Sequence, residues 1–242
     1  MLNFYIPHKI KIGEITKLSD QDSKFAIANN IELKQQIYIE SNGNKYIAKI
    51  LKINTNSIDV IIEDIIIEKN DIDYEIVLLQ SLIHTHKYKY VIEKAVEIGV
   101  HSIQPIYSEY STESIKKIAK MNNIWRNTIK DAKEQSRNSY DIKYNNPIEI
   151  SNLGDVLDKD SIKICMSTEN IQKTDLGNIT NEIIKNKKIY IAIGPERGWG
   201  VEDINIFSNL SFQFIQLNGN ILRTETASLV ILSMIKYIKE YK

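Results

Sequence analysis

The pattern of apolar and polar positions changes character once along the chain. Up to about residue 70 the period is two: Gln36 to Glu40 alternates, Lys45 to Ile53 resumes the alternation, and Ser57 to Ile67 supplies another strand-like run. Between the first two lies Ser41-Asn42-Gly43-Asn44, whose Asn-Gly pair suits a tight hairpin because that turn needs positive φ. Helical spacing surfaces only at Asp20 to Asn29. Short strands joined by tight turns predict a small barrel or sandwich. The polar stretch Lys69-Asn70-Asp71-Ile72-Asp73 is the predicted boundary, giving one domain over 1–70 and a second over 74–242.

Beyond Tyr74 strands and helices alternate. Ile76 to Leu82, Ser102 to Ile106, Ser161 to Met166, Lys188 to Ile193 and Phe212 to Leu217 read as strands. Tyr88 to Ile98 has helical spacing and ends at Gly99, a residue suited to a left-handed C-cap. Further helices are predicted over Ser114 to Gln135, with a break near Asn122-Asn123, and over Asp175 to Lys185, Val201 to Asn209 and Arg223 to Tyr241. Repeated β–α units predict an α/β fold, a mostly parallel sheet with helices on both faces.

Composition narrows the function classes. With 242 residues, 43% apolar and 26% charged, the chain has the make-up of a soluble globular protein. Its formal charge of zero leaves nucleic acid open, since a basic patch fits within a neutral total. A single cysteine, Cys165, excludes an internal disulfide and a multi-cysteine metal site, and its apolar surroundings predict a buried thiol. His8, His84, His86 and His101 show no metal-ligand spacing, so no metal is expected. No run approaches the ~18 apolar residues of a membrane span, and MLNFYIPHKIKIGEI lacks the basic start and long apolar core of a signal peptide. The expectation is a cytoplasmic protein without a membrane partner.

Two loops carry the candidate chemistry. Ile193-Gly194-Pro195-Glu196-Arg197-Gly198-Trp199-Gly200 and Leu217-Asn218-Gly219-Asn220-Ile221-Leu222-Arg223-Thr224-Glu225-Thr226-Ala227 each follow a strand and lead into a helix. Small residues there let the backbone approach a ligand, and two such loops at adjoining strand ends suit an adenosine-type cofactor. The first loop is neither a P-loop nor a dinucleotide fingerprint. Arg223 opens the last helix, where the dipole disfavours a cation, so a task such as gripping a phosphate is expected of it. Two roles are open to Glu196: dipole partner of the helix near Val201, or a group at the bound cofactor and its substrate. Trp199 is either a stacking platform or a plug, and Thr224 and Glu225 are either helix caps or functional groups. Lys45, Lys49, Lys52, Lys87, Lys89 and Lys94 are candidate contacts for a nucleic-acid backbone.

These motifs give the chain a recognisable likeness. Ile221-Leu222-Arg223-Thr224-Glu225-Thr226-Ala227, Gly194-Pro195-Glu196-Arg197-Gly198-Trp199, Glu93 to Val100 and Ala132 to Ser136, with Pro105, Ser108 and Glu109 between, resemble the blocks of the SPOUT class of RNA methyltransferases. Within that class the chain resembles the bacterial 16S ribosomal RNA (uracil-N3)-methyltransferases, the ribosomal RNA small subunit methyltransferase E family, over essentially its full length. The resemblance implies an N-terminal PUA-like β-barrel for RNA and a trefoil-knotted α/β domain, assembled as a homodimer. It implies S-adenosyl-L-methionine as cofactor, 16S rRNA of the small ribosomal subunit as partner, and methylation of a uridine at N3. Met166, Ser167, Ile193, Gly194, Pro195, Glu196, Gly198, Leu217, Asn218, Gly219, Ile221 and Leu222 are then expected to hold the cofactor, with Arg223 and Glu196 at the chemistry. The chain departs from the family pattern where Tyr110, Asn138 and Asn220 replace common arginines, and in Leu2-Asn3-Phe4 and Ala26 to Asn30, which lack one. An enzyme for another RNA, such as transfer RNA, and a non-catalytic ribosome-assembly protein that keeps the fold are the alternatives.

Overall fold

Buried side chains fall into separate clusters in the computed structural model, and the chain divides into two units, Met1–Ile72 and Asp73–Lys242. The structure describes residues 2–41, 44–66, 73–136, 138, 140–169, 171–217 and 219–241. The Asn42-Gly43 turn, residues 69–72 of the expected boundary and Asn218 lie outside them.

In the first unit β1 (Asn3–Tyr5), β2 (Ile15–Lys17), α1 (Asp20–Ala28), β3 (Gln36–Ser41), β4 (Asn44–Ile53) and β5 (Ile58–Ile66) form one sheet and one helix. Strand order is β1-β3-β4-β5-β2, with only the β1–β3 pair parallel. Period-two burial of Ile37 and Ile39, of Tyr46, Ala48 and Ile50, and of Ile58, Val60 and Ile62 points one face inward. Two register shifts between β4 and β5 bend the ribbon around that core. Ser19 caps α1 by accepting the Asp22 N–H at 3.1 Å, and Ser23 of α1 accepts the Ile58 N–H at 3.2 Å, seating the helix on the sheet.

The second unit runs β6 (Glu75–Ser81), α2 (Thr85–Ile98), β7 (Ser102–Tyr107), α3 (Ile115–Lys120), α4 (Asn122–Ser136), β8 (Lys143–Tyr144), β9 (Ile148–Glu149), a 3-10 turn (Ile150–Val156), β10 (Ile162–Met166), α5 (Thr180–Lys185), β11 (Lys188–Ile193), α6 (Val201–Asn209), β12 (Gln213–Ile215) and α7 (Thr224–Tyr241). Its sheet is wholly parallel in the order β12-β10-β11-β6-β7-β8, with β9 also on β7. Both faces are covered. Ile76 and Leu78 of β6 and Ile189 and Ile191 of β11 join the cluster that holds Tyr88, Val91 and Ile92 of α2, Trp125 of α4 and Ile231 and Ile235 of α7. Val77, Leu79, Tyr190 and Ala192 face the other way, onto Phe207 of α6 and Leu153.

Gly99 ends α2 at φ 104°, and a Cβ there would also lie 2.9 Å from Nζ of Lys236, which donates to the Ile98 carbonyl at 2.8 Å. Only glycine suits both demands. The strand order corrects one expectation: the two candidate loops do not follow adjoining strands, because β10 lies between β11 and β12. The carboxyl ends of all three strands therefore meet at one edge of the sheet, where parallel α/β sheets receive ligands.

Candidate functional site

The loop after β11 is shaped by its own tryptophan. Trp199 folds back over Gly194, where a Cβ would sit 3.2 Å from the indole ring. The ring is buried, packs edge-on against Phe207 at 4.7 Å, and its Nε1–H donates to the Met166 carbonyl at 2.8 Å. Of the two roles open to it, Trp199 takes that of a plug, which pins the loop after β11 to the end of β10. Ser167 extends the tie, its N–H donating to the Ile215 carbonyl of β12 at 3.0 Å. Gly198 has φ 77°, and the Glu169 carboxylate fills the space where a Cβ would lie. At the start of α6 the buried Asp203 accepts the N–H of Gly200 at 2.9 Å and that of Glu109 at 3.2 Å, fastening the helix to the loop after β7. Burial pushes the Asp203 carboxyl above its ordinary range, against those two hydrogen bonds.

The second loop meets the first through Thr224. Its hydroxyl donates to the Gly194 carbonyl and accepts from Nε2 of Gln80 at 3.5 Å, while Ser228 donates to Oε1 of Gln80 at 2.8 Å. Gln80 is fully buried on β6, so the tie rests on the middle of the sheet. Thr224 therefore joins the two loops rather than merely capping α7.

A cleft of about 400 Å³ lies between the loops. Met166, Ser167, Ile193, Gly194, Pro195, Glu196, Gly198, Leu217, Ile221, Leu222 and Arg223 all line it. Gly219 does not, and Asn218 lies outside the described residues. Lys87, Thr168, Trp199, Ile215, Gln216, Asn220, Thr224 and Ala227 line it without having been predicted as cofactor contacts. Most of these flank predicted residues in the same loops. Lys87 comes from α2, far away in sequence.

The charged groups are arranged as follows. Nζ of Lys87 donates to Oε1 of Glu196 at 3.1 Å, with both side chains 24% exposed. The acidic residues in the first turn of α6 are Glu202 and Asp203, so the dipole role considered for Glu196 falls to them. Arg223 is exposed, its carbonyl accepts the Ala227 N–H at 2.8 Å at the head of α7, and it has no ion-pair partner among the described residues. Outside the cleft lining, the Arg197 guanidinium lies over the Tyr110 ring at 4.4 Å. Asn138, another departure from the family pattern, is structural, donating to the Val96 carbonyl at 2.8 Å. Lys49 pairs with Glu63 at 3.3 Å and Lys94 with Glu93 and Glu97 at 2.8 and 2.7 Å, whereas Lys52 and Lys89 are exposed. Among the described residues no group of three or more His, Cys, Asp or Glu side chains is placed to hold a metal ion. Cys165 is buried, and burial pushes its thiol well up. No described helix is long and apolar enough to cross a membrane.

A parallel α/β sheet with a loop-lined cleft at its carboxyl edge is the setting of many enzymes, and comparison with known proteins narrows it. The RNA methyltransferase domain family matches residues 70–236, which sets the class. Ribosomal RNA small subunit methyltransferase E 2 of Borreliella burgdorferi is 30% identical over 223 residues, covering 87% of this chain and 82% of that protein. Ribosomal RNA small subunit methyltransferase E of Mesomycoplasma hyopneumoniae is 29% identical over 214 residues, covering 87% and 88%. The chain belongs to the ribosomal RNA small subunit methyltransferase E family. Its fold matches the crystal structure of the Neisseria gonorrhoeae ribosomal RNA small subunit methyltransferase E bound to S-adenosyl methionine, with a TM-score of 0.72 at 24% identity over 98% of each chain.

Proposed function

We propose that this protein methylates N3 of a specific uridine in the 16S rRNA of the small ribosomal subunit, with S-adenosyl-L-methionine as methyl donor. The observation that carries the reading is the convergence of the loops after β10, β11 and β12 on one cleft, held together by the Trp199–Met166 and Thr224–Gly194 hydrogen bonds. Its residues fit a nucleoside with a charged tail. Ile193, Ile215, Leu217 and Leu222 offer apolar walls for adenine, and Ser167, Glu196 and the backbone of the glycine loop offer polar groups for ribose and the amino-acid end. A volume of about 400 Å³ lies within the range of small-molecule sites. Bound there, the donor would supply a methyl group activated by a positively charged sulfur.

The chain's own part is to orient the base and manage its charge. N3 of uracil bears an imide proton and becomes a good nucleophile only as that proton leaves, so an acceptor at the mouth of the cleft accelerates transfer. Glu196 is that acceptor in our reading. Arg223, exposed and without an ion-pair partner among the described residues at the head of α7, is free to face negative charge developing on the uracil oxygens. The base leaves its stack to present N3.

The same reading takes the domain limits as 1–70 and 74–242. It assigns the first unit as a PUA-like RNA-binding barrel, which its curled, mostly antiparallel sheet and exposed Lys52 support. It assigns the second as a trefoil-knotted domain that works as a homodimer in the cytoplasm. The passage of the chain from β12, at the sheet edge, past the ends of β10 and β11 into an α7 packed on α2 supports the knot.

Two measurements test the proposal. Calorimetry with S-adenosylmethionine is expected to show saturable binding, and no binding at millimolar cofactor would remove the enzymatic reading. Mapping N3-methyluridine in ribosomal RNA from cells with and without the gene is expected to show one 16S position lost. An unchanged 16S pattern with an altered transfer RNA would move the activity to another substrate.

A further inference from the structure

We infer that Lys87 is a positioning residue that holds the Glu196 carboxylate at the mouth of the cleft before RNA arrives, an inference that rests on the reading of Glu196 as proton acceptor. Lys87 lies in the first turn of α2, where the helix dipole disfavours a cation, and that turn carries no acidic residue of its own. Its partner instead comes from across the cleft, 109 residues away in sequence, at 3.1 Å. Both side chains line the cleft and are 24% exposed. A single ion pair reached by water typically contributes little to stability, a small return for a lysine set against a dipole. Fixing a carboxylate gives that placement a use.

The anchor is rigid on one side and loose on the other. The neighbours of Lys87 on α2, Tyr88, Val91 and Ile92, are fully buried in the core. Glu196 sits in a glycine-rich loop, where an unpaired side chain would sample many rotamers. The hydrogen bond engages Oε1, and Oε2 makes none to the described residues. A carboxylate gripped by one oxygen presents the other in a fixed direction, as a proton acceptor requires. In the transfer the N3–H bond breaks and its proton passes to Oε2. The freed electron pair forms the N3–CH3 bond, while the pair of the broken S–CH3 bond stays on sulfur.

The test compares Lys87→Met, Lys87→Arg, Glu196→Gln and the double variant Lys87→Met/Glu196→Gln on small subunits from cells lacking the gene. It reads kcat, KM for RNA and calorimetric Kd for S-adenosylmethionine. Lys87→Met is expected to lower kcat by about tenfold or more, part of what a positioned acceptor contributes. Kd and KM are expected to stay within about twofold, and Lys87→Arg to recover most of the rate. In the Glu196→Gln background Lys87→Met should change nothing further, the mark of two residues acting as one unit. An equal loss in both backgrounds, or a loss confined to KM for RNA as a phosphate contact would give, overturns the inference. Full activity in Glu196→Gln overturns it as well, together with the role of Glu196, and that outcome is visible before any Lys87 variant is compared. Absence of cofactor binding by the unaltered protein marks instead a failure of the underlying reading of the cleft.

Discussion

At the residue scale, Arg223 combines two features that rarely occur together by accident. It stands at the head of α7, where aligned peptide dipoles oppose a cation, and among the described residues it has no ion-pair partner, although Glu225 lies in the same first turn. Removing its side chain should therefore leave stability within about 0.5 kcal/mol of the parent. That side chain is exposed and, among the described residues, makes no capping hydrogen bond, although the residue stands at the N-cap position of α7. The rate should fall by about 10²–10³-fold, as when one donor facing a developing negative charge is lost. Thermal melting and a methylation assay on Arg223→Ala check both halves, and near-normal activity would take Arg223 out of the mechanism. That residue was legible in the sequence because the conflict between its charge and the helix start is local. Gly194 and Trp199 were legible as a motif for the same reason, both partners lying within one short loop. For Thr224 the sequence leaves two readings open, cap or functional group, and its hydroxyl goes to the Gly194 carbonyl. The partnership of Lys87 with Glu196 left no local trace, since it exists only after α2 and the loop after β11 are folded side by side.

At the scale of elements, the readable ones have an unbroken period and a clear stop. The predicted bounds of the strand Lys188–Ile193 and the helix Val201–Asn209 match β11 and α6, and the break expected near Asn122-Asn123 falls at Met121. Elements were missed or overdrawn where tertiary contacts override local pattern. β1 and β2, three residues each, are too short to show alternation. The helix expected from Asp175 begins at Thr180: after Thr174 bridges to Ile215, residues 176–179 form turns, with the Asn178 N–H donating to the Asp175 carbonyl and the Thr180 N–H to that of Gly177. The strand expected to reach Leu217 ends at Ile215, since Gln216 and Leu217 leave the sheet to line the cleft. The start of α6 offers a test at this scale. Asp203 accepts two backbone N–H groups there, and Asp203→Asn replaces one acceptor oxygen by a donor aimed at the same amides. It should destabilise the protein by about 1.5–3 kcal/mol, the range for hydrogen bonds to a charged group. Cofactor affinity should weaken too, because α6 anchors the loop that carries Gly194 and Glu196. Denaturant unfolding and calorimetry measure the two effects, and unchanged values in both would show that α6 is held by its apolar face alone.

For the molecule as a whole, what no local pattern contains is the order of strands in space. β10 precedes β11 in sequence yet lies between β11 and β12, and this insertion brings Met166 and Ser167 between the two loops and makes one cleft of three segments. The opposite edge of the same sheet bears a different load. His101, just before β7, accepts the Ile76 N–H on Nδ1 at 3.1 Å, while its Nε2 is buried without a hydrogen-bond partner among the described residues. Tyr74 and Tyr140 pack on the ring, Glu75 and Lys236 act on it from β6 and α7, and burial is the largest influence, holding the imidazole below its ordinary range. Protonation would both charge a buried ring and remove the acceptor for Ile76. A lowered pKa in the folded state means that the unfolded chain takes up the proton first. The stability tied to neutral His101 is therefore complete above about pH 6.5 and is lost as pH falls from there toward the lowered folded value, at no more than about 1.4 kcal/mol per pH unit for one proton. Asparagine at this position presents an amide oxygen to the same N–H without titrating. Melting curves from about pH 7.5 to 5 should thus show the parent losing Tm on acidification more steeply than His101→Asn, and equal slopes would show that acid acts elsewhere. Because β6 lies in the middle of the sheet order and carries Gln80 beneath the Thr224 tie, loosening at the amino ends of β6 and β7 should reach the cleft only as the whole sheet unfolds. Cofactor affinity per folded molecule should then stay constant across the same pH range in which stability falls.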